Sequence, residues 1–392
     1  MIEVLIDRRG PLLCALAVEA GEIGLLQVDH TDRPSLFGSI HRGRVQRIVA
    51  GMSAAIVEID TGVGLLGLGD IRSPEGRLRR ADGVAPRIGQ ALRPGQPVLV
   101  QVKADGVGAK GPVLTMDITL PGRFLVRAPR ASGIVLSRRL AQGDAKTRLR
   151  RQIEQIVTGG GWIVRAGAAA ADPAVLAAEA EALELAWHAI EGAAMAGDAI
   201  CRLCDGPAAP QRLLLDLGVR RPTAIRVGSS VGDADLRAWC QDQAIDLVSV
   251  LVPAEPSVIE RIDFDGLLAG LLRRVVPLSG GGWLAIDRTE ALTVIDVNGG
   301  ERPQPVEVNL AAAVEIARQL RLRNIAGIII VDFINLAKPA ERQYLLERFA
   351  SACADDAAAT DIYGMSRLGL VEMTRARRGP PLSDLLEGAD LP

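Results

Sequence analysis

The stretch from Ala291 to Leu336 constrains this chain more than any other part of it. Two apolar runs of β type, Leu292–Val297 and Ile328–Ile334, flank a helix-patterned segment, and each contains one aspartate, Asp296 and Asp332. A strand–helix–strand unit of this length closes as a right-handed crossover with parallel, commonly adjacent strands. An unpaired carboxylate inside a sheet costs several kcal/mol, and two side by side repel unless a cation or protons intervene. Asn298 lies two residues past Asp296, on the same face of its strand. Two Asp and one Asn make a hard oxygen set that suits Mg²⁺, with Mn²⁺ as the alternative. A lone aspartate at a strand end is as readily a solvated turn or a helix cap. The matched pair carries the argument, and a rival site must be sought elsewhere in the chain.

Bulk properties narrow the search. The chain has 392 residues, 48% hydrophobic and 23% charged, as in globular proteins with room for two to four domain-sized units. A net charge of −2 argues against a uniformly basic nucleic-acid binder, so any such contact must rest on local patches. Five scattered cysteines suit reduced thiols of a cytoplasmic protein better than a disulfide framework. Cys201 and Cys204 form a C-x-x-C without the further ligands that a zinc site needs. The start MIEVLIDRRG carries its charges after the first apolar run, unlike a signal peptide. No run of about 18 apolar residues marks a membrane span. GVGLLG at 62–67 and GSSVGD at 228–233 match phosphate loops by letter alone; the first opens no helix and the second has no Lys. The histidines are His30, His41 and His188, none near the Asp unit, so a metal-free pair of imidazoles finds no support.

Taken in order, residues 2–34 read as two or three strands, too few to bury a core without joining a later sheet. Five short strands between Gly38 and Thr119 fit an OB-type barrel. Such barrels bind single-stranded nucleic acid with a basic groove and stacking aromatics. Arg42, Arg44, Arg47 and Lys110 supply the charge, but no Phe, Tyr or Trp falls between Phe37 and Phe124. The stretch Arg77–Gln96 reads as an inserted loop. A basic segment with Arg138, Arg139, Lys146, Arg148, Arg150 and Arg151 follows, then a strand interrupted by Arg165. The next helix has Asp172 as N-cap and Pro173 at its first position, with Glu179, Glu181 and Glu184 on a solvated face. Residues 200–270 alternate short strands and helices, with AIDLVSVLV among the strands. In the last third Asn309 caps a helix over 310–323 whose stripe is Leu310, Val314, Ala317 and Leu320. Arg318, Arg321 and Arg323 load its last turn and set a cationic patch near the carboxylates.

These segments resemble the catalytic region of the ribonuclease E/G family. The most specific matches are TEALTVIDVN (289–298), NLAAAVEIARQLRLRNIAGIIIVDFI (309–334) and SRLGLVEMTR (366–375). Weaker ones are GSIHRGRVQRIVAGMSAAIVEID (38–60), KGPVLT (110–115), SRR (137–139) and IVRAG (163–167), all in the family's order. The resemblance implies an α/β chain of the α+β, multi-subdomain kind. An RNase H-like subdomain spans 1–35 plus 201–273, an S1 barrel of OB type 36–118, a 5′-sensor region 119–200, and a DNase I-like catalytic subdomain 274–392. It makes Asp296 and Asp332 ligands of Mg²⁺ (or Mn²⁺), Asn298 a supporting catalytic residue, and Lys110 an RNA-backbone contact beside Arg42 and Arg44. Gly122, Val126, Arg165 and Arg367 become the pocket for a 5′-monophosphate. The implied activity is Mg-dependent endonucleolytic cleavage of single-stranded RNA by metal-activated water, leaving 5′-phosphate and 3′-hydroxyl ends, in cytoplasmic RNA processing or decay.

Departures from the family pattern matter too. Ala166 follows Arg165 where the family has Thr, which removes a hydroxyl donor, an interaction of about 1 kcal/mol. Ile56 and Leu65 stand where the barrel's aromatics would be, and the loop after Asn298 reads VNGG. The sequence ends at Pro392, before the family's zinc link and small domain, so no zinc is expected and any homo-oligomer would form without that link. A catalytically weak or inactive RNA-binding relative is the alternative reading, opposed by the retention of both Asp and the Asn. A purely structural protein fits the basic patches poorly.

Overall fold

A computed structural model describes residues 1–73, 76–77, 87–108, 110–137, 139–140, 143–301 and 304–387. Arg138 and residues 78–86 of the loop expected after Arg77 lie outside the described residues. The architecture is mixed α/β of the α+β kind, with several separate sheets and one barrel.

The first three strands, Ile2–Arg9, Leu12–Glu19 and Glu22–His30, form a meander that borrows Ala224–Val227 as a parallel fourth strand beside the first. One face packs on helices Ala209–Asp216 and Ala234–Gln243, the other on helix Phe264–Leu272. AIDLVSVLV is a 3-10 helix, Ile245–Val250, rather than a strand. The Asp246 carboxylate accepts from Arg123 Nε at 2.9 Å and its carbonyl from Arg221, while the end of the run reaches the sheet, where Leu251 bridges Ile225 and Val252 N donates to Ile225 O.

Five strands make the barrel: Ile40–Val49, Ala54–Ile59, Gly62–Gly67, Pro97–Ala104 and Val113–Thr115. It closes because the first also pairs with Pro97–Ala104. Val45, Val57, Leu66, Val100 and Leu114 fill it. Cys201–Cys204 adds to the outside of Ile40–Val49. Next, short strands including Leu120–Pro121, Leu125–Arg127 and Trp162–Val164 form a four-stranded sheet against the helix Pro173–Met195. Asp172 caps that helix through Ala174 N at 2.8 Å. Its Glu residues do not all face solvent: Glu179 is 3% exposed, and Glu184 pairs with Arg127.

The last third is a six-stranded sheet. Val275–Pro277, Trp283–Arg288, Leu292–Asn298 and Gly327–Asp332 follow one another across it; then come Leu370–Arg375 and, at the edge, Thr360–Met365. Helices Pro305–Leu322 and Pro339–Cys353 cover one face. Two expectations change here. The crossover helix begins at Pro305, preorganised for a first helical turn, so Asn309 lies inside it, fully buried. The buried stripe is Val308, Ala312, Ala313, Ile316, Ala317 and Leu320, while Val314 is exposed. Arg318, Arg321 and Arg323 sit at the far end of a helix of 18 residues, about 27 Å long. They bind Ile23 O, Ala352 O and Gln319 Oε1 and form no patch at the carboxylates. Among the described residues no helix is long and apolar enough to cross a membrane.

Candidate active site

Leu292–Asn298 and Gly327–Asp332 are adjacent and parallel, and their register makes Asp296 and Asp332 direct partners. Strand spacing then puts the two Cα atoms about 5 Å apart. Burial alternates along both strands: Thr293, Ile295, Val297, Ile329 and Val331 face the helices, and the intervening side chains face outward. Both aspartates are exposed. Carboxylates in apolar runs are expected in the sheet interior; these lie instead on the face opposite the helices Pro305–Leu322 and Pro339–Cys353, near the strands' C-terminal ends and open to water. Asn298 donates from Nδ2 to Asp296 Oδ2 at 2.8 Å, fixing that carboxylate. Ala285 is opposite Asp296 on the neighbouring strand.

Asn309 holds the second carboxylate's strand in place. Its Nδ2 donates to Ile334 O at 2.7 Å and its Oδ1 accepts from Ile334 N at 3.0 Å. The crossover helix thereby grips the chain two residues past Asp332. Pro305, a helix-start signal, could have revealed that Asn309 is internal.

No group of three or more His, Cys, Asp and Glu side chains gathers among the described residues. Two exposed carboxylates and an amide nevertheless fit a Mg²⁺-type ion, which keeps several waters and takes one or two protein carboxylates plus substrate phosphate oxygens. The C-x-x-C fits a metal poorly. Cys201 Sγ accepts from Arg42 Nη2 at 3.2 Å, and burial pushes the Cys204 thiol up, disfavouring the thiolate.

Three of the four expected 5′-phosphate residues share one corner. Gly122 N donates to Leu125 O, Val126 pairs with Pro121 and Ile163, and Arg165 N donates to Phe124 O, both of these hydrogen bonds 2.8 Å long. Burial lowers the Arg165 guanidinium from its ordinary value, with Asp216 opposing, and its Nη1 donates to Leu215 O. Arg367 is exposed in the Ser366–Gly369 turn of the catalytic sheet and, among the described residues, makes no hydrogen bond or ion pair with the other three. Glu179 is an unforeseen member of this corner. Its carboxylate accepts from Phe124 N and Leu125 N, and a Cβ at Gly122 would lie 1.9 Å from its Oε1, so glycine is what admits it. Burial pushes Glu179 up to about 7, against the backbone amides and Arg165. Its spacing from Leu176 and Leu183, on the helix's apolar stripe, was the available signal.

The barrel residues divide. Lys110 is exposed, on a loop whose Asp105 N donates to Arg378 O of the catalytic part at 2.8 Å. Arg42 spends its donors on Ala193 O, Ala194 O and Ala199 O at the end of the long helix, and Arg44 on Gly95 O and Asp198 O. Ile56 and Leu65 are cross-strand partners, both half-buried.

An oxygen-ligand pair on an open sheet beside an OB-type barrel is the equipment of a nuclease. The model of the Ribonuclease E/G family matches residues 119–378. Ribonuclease G of Escherichia coli strain K12 is 33% identical over 381 residues, covering 93% of this chain and 78% of that protein. Ribonuclease E of Nostoc sp. is 36% identical over 366 residues, covering 89% of this chain and 52% of that protein. Ribonuclease G of Haemophilus influenzae is 30% identical over 383 residues, covering 94% and 78%. The chain belongs to the ribonuclease E/G family, which places it among the endoribonucleases.

Proposed function

We propose that the chain cleaves single-stranded RNA at the Asp296–Asp332 pair, in RNA processing or decay. The observation that carries this reading is the direct register of the two aspartates, with Asn298 bonded to one of them. Asp296 and Asp332 would hold Mg²⁺ or Mn²⁺. When bound, such an ion supplies Lewis-acid charge and an activated water, chemistry that leaves 5′-phosphate and 3′-hydroxyl ends. Asn298 orients Asp296 and, through its side-chain carbonyl oxygen, can align a water or a ribose hydroxyl. Asn309 keeps Asp332 in register.

Lys110 is the barrel cation we assign to the RNA backbone; Arg42 and Arg44 serve it indirectly by tying the barrel to the long helix. Gly122, Val126 and Arg165 form the proposed 5′-monophosphate pocket, weakened by Ala166; Arg367, in the turn beside Leu370 at the Asp332 end of the catalytic sheet, stands apart from it. In this reading residues 1–35 plus 201–273 are RNase H-like, 36–118 an S1 barrel, 119–200 the sensor region and 274–392 DNase I-like. Free thiols throughout suit a cytoplasmic setting.

The test is cleavage of one single-stranded RNA by the wild type and by Asp332→Ala, with Mg²⁺ and with EDTA. Cleavage only by the wild type with Mg²⁺, giving 3′-hydroxyl ends, is expected. Products with 2′,3′-cyclic phosphates, or activity surviving in EDTA, overturn the reading.

A further inference from the structure

The face that carries the carboxylate pair also carries aromatic rings whose role nothing above explains. Three aromatic side chains are strongly exposed among the described residues: Trp283 at 39%, Tyr344 at 49% and Tyr363 at 69%. Two of them, Trp283 and Tyr363, stand on the open face of the catalytic sheet. Trp283 is the direct partner of Asn298 and therefore diagonal to Asp296. That diagonal is about 7–8 Å between Cα atoms, within reach of an aromatic side chain. The VNGG loop borders Trp283. A Cβ at Gly300 would lie 3.4 Å from Trp283 Cζ3, so the loop's glycine borders the ring without covering it.

Tyr363 lies at the opposite edge, on the bulge of the last strand, and its hydroxyl bonds Thr374 Oγ1 at 3.1 Å. Four strand spacings separate the two aromatic strands, about 19 Å. The carboxylate pair lies between them, nearer Trp283. Ile328, at 50% exposure, makes part of the apolar floor on the way.

Charge decides how a strand of RNA can lie here. Asp296, Asp332, Asp361 and Glu372 all face this surface, and Arg274, near its rim, is paired to Asp287. The face itself gives phosphates little counter-charge, apart from Arg367 in the turn beside Asp332. Base stacking can supply affinity there, because every base has an apolar face and needs no counter-charge. The barrel's Ile56–Leu65 pair is aliphatic and half-buried and offers no ring.

We propose that Trp283 and Tyr363 are the base-stacking residues of the substrate path, gripping single-stranded RNA on the two sides of the scissile phosphate. The proposal rests on the reading of Asp296 and Asp332 as the cleavage site, since only a strand crossing that pair meets both rings. It moves single-strand recognition from the barrel to the catalytic sheet.

Tryptophan emission reads it directly in the full chain. Of the four tryptophans, Trp162 and Trp187 are buried and Trp239 is half-buried, which leaves Trp283 to meet a ligand. A single-stranded oligoribonucleotide added in EDTA quenches the wild-type emission, and Trp283→Phe abolishes the quench. Trp283→Ala and Tyr363→Ala each weaken binding about ten-fold with the unfolding transition unchanged. Undiminished affinity in the double Ala variant overturns the proposal while leaving the endoribonuclease reading intact, provided Mg²⁺-dependent cleavage persists. Self-association of the wild type that the double variant abolishes also overturns it, because the face would then join two copies. If the wild type neither binds nor cleaves single-stranded RNA, the site reading itself falls.

Discussion

Asn309→Ala tests whether the crossover helix sets the geometry of the carboxylate pair. The buried amide makes two hydrogen bonds to the backbone of Ile334, at 2.7 and 3.0 Å. Truncation leaves that N–H and C=O without their partner, at about 1–3 kcal/mol for each group. Ile334 is half-buried, so water recovers part of the loss, and about 3 kcal/mol is the net expectation. A chain of several subdomains need not unfold in one step, so the measurement is native-state hydrogen exchange followed peptide by peptide. Amides of Ile328–Ile334 and of the helix Pro305–Leu322 should lose roughly 100-fold protection, while the barrel's amides keep theirs. Cleavage should fall as well, because Asp332 is two residues from the freed peptide. Asn309→Asp, which sets a second oxygen against Ile334 O, should be no better. Unchanged exchange in the crossover unit, or full activity in Asn309→Ala, would refute the reasoning.

Two further outcomes follow from the charged residues. Glu179 holds its proton up to about pH 7 in the fold, against an ordinary value of 4.5. Its contribution to stability is therefore full below pH 4.5 and lost as pH rises through 7, a change of about 3 kcal/mol. Glu179→Gln should flatten the decline in denaturation midpoint between pH 5 and 8, and parallel declines in the two proteins would contradict the assignment. Arg42→Ala should cost about 1–2 kcal/mol by freeing the carbonyls at the end of the long helix. It should also leave the salt dependence of RNA binding unchanged, whereas a slope shallower by about 0.7 would mark a lost phosphate contact.

Much of the site was legible because strand periodicity and crossover chirality act locally. Asp296, Asn298 and Asp332 meet as their spacing requires, and the barrel's five strands close as their Gly- and Pro-punctuated rhythm indicates. What periodicity cannot give is which face a helix will cover. The aspartates were read as interior because their runs are apolar, yet the helices pack on the other side. Long-range polar contacts were equally hidden. Arg42 and Glu179 read as solvent-facing charges, and only the fold brings the first to a helix end and the second to the amides of Phe124 and Leu125. Trp283 gave no signal of its own, since an aromatic in an apolar strand reads as core and only the fold shows which face it takes.

Asp296 and Asp332 are proposed to hold a divalent ion together. Mn²⁺ titrated into the chain without RNA, with free ion counted by electron paramagnetic resonance, tests this without relying on activity. A single site is expected in the wild type, weakened at least about ten-fold in Asn298→Ala and more in Asp296→Asn and Asp332→Asn. Mn²⁺ binding of equal strength and stoichiometry in all four proteins would contradict the proposal.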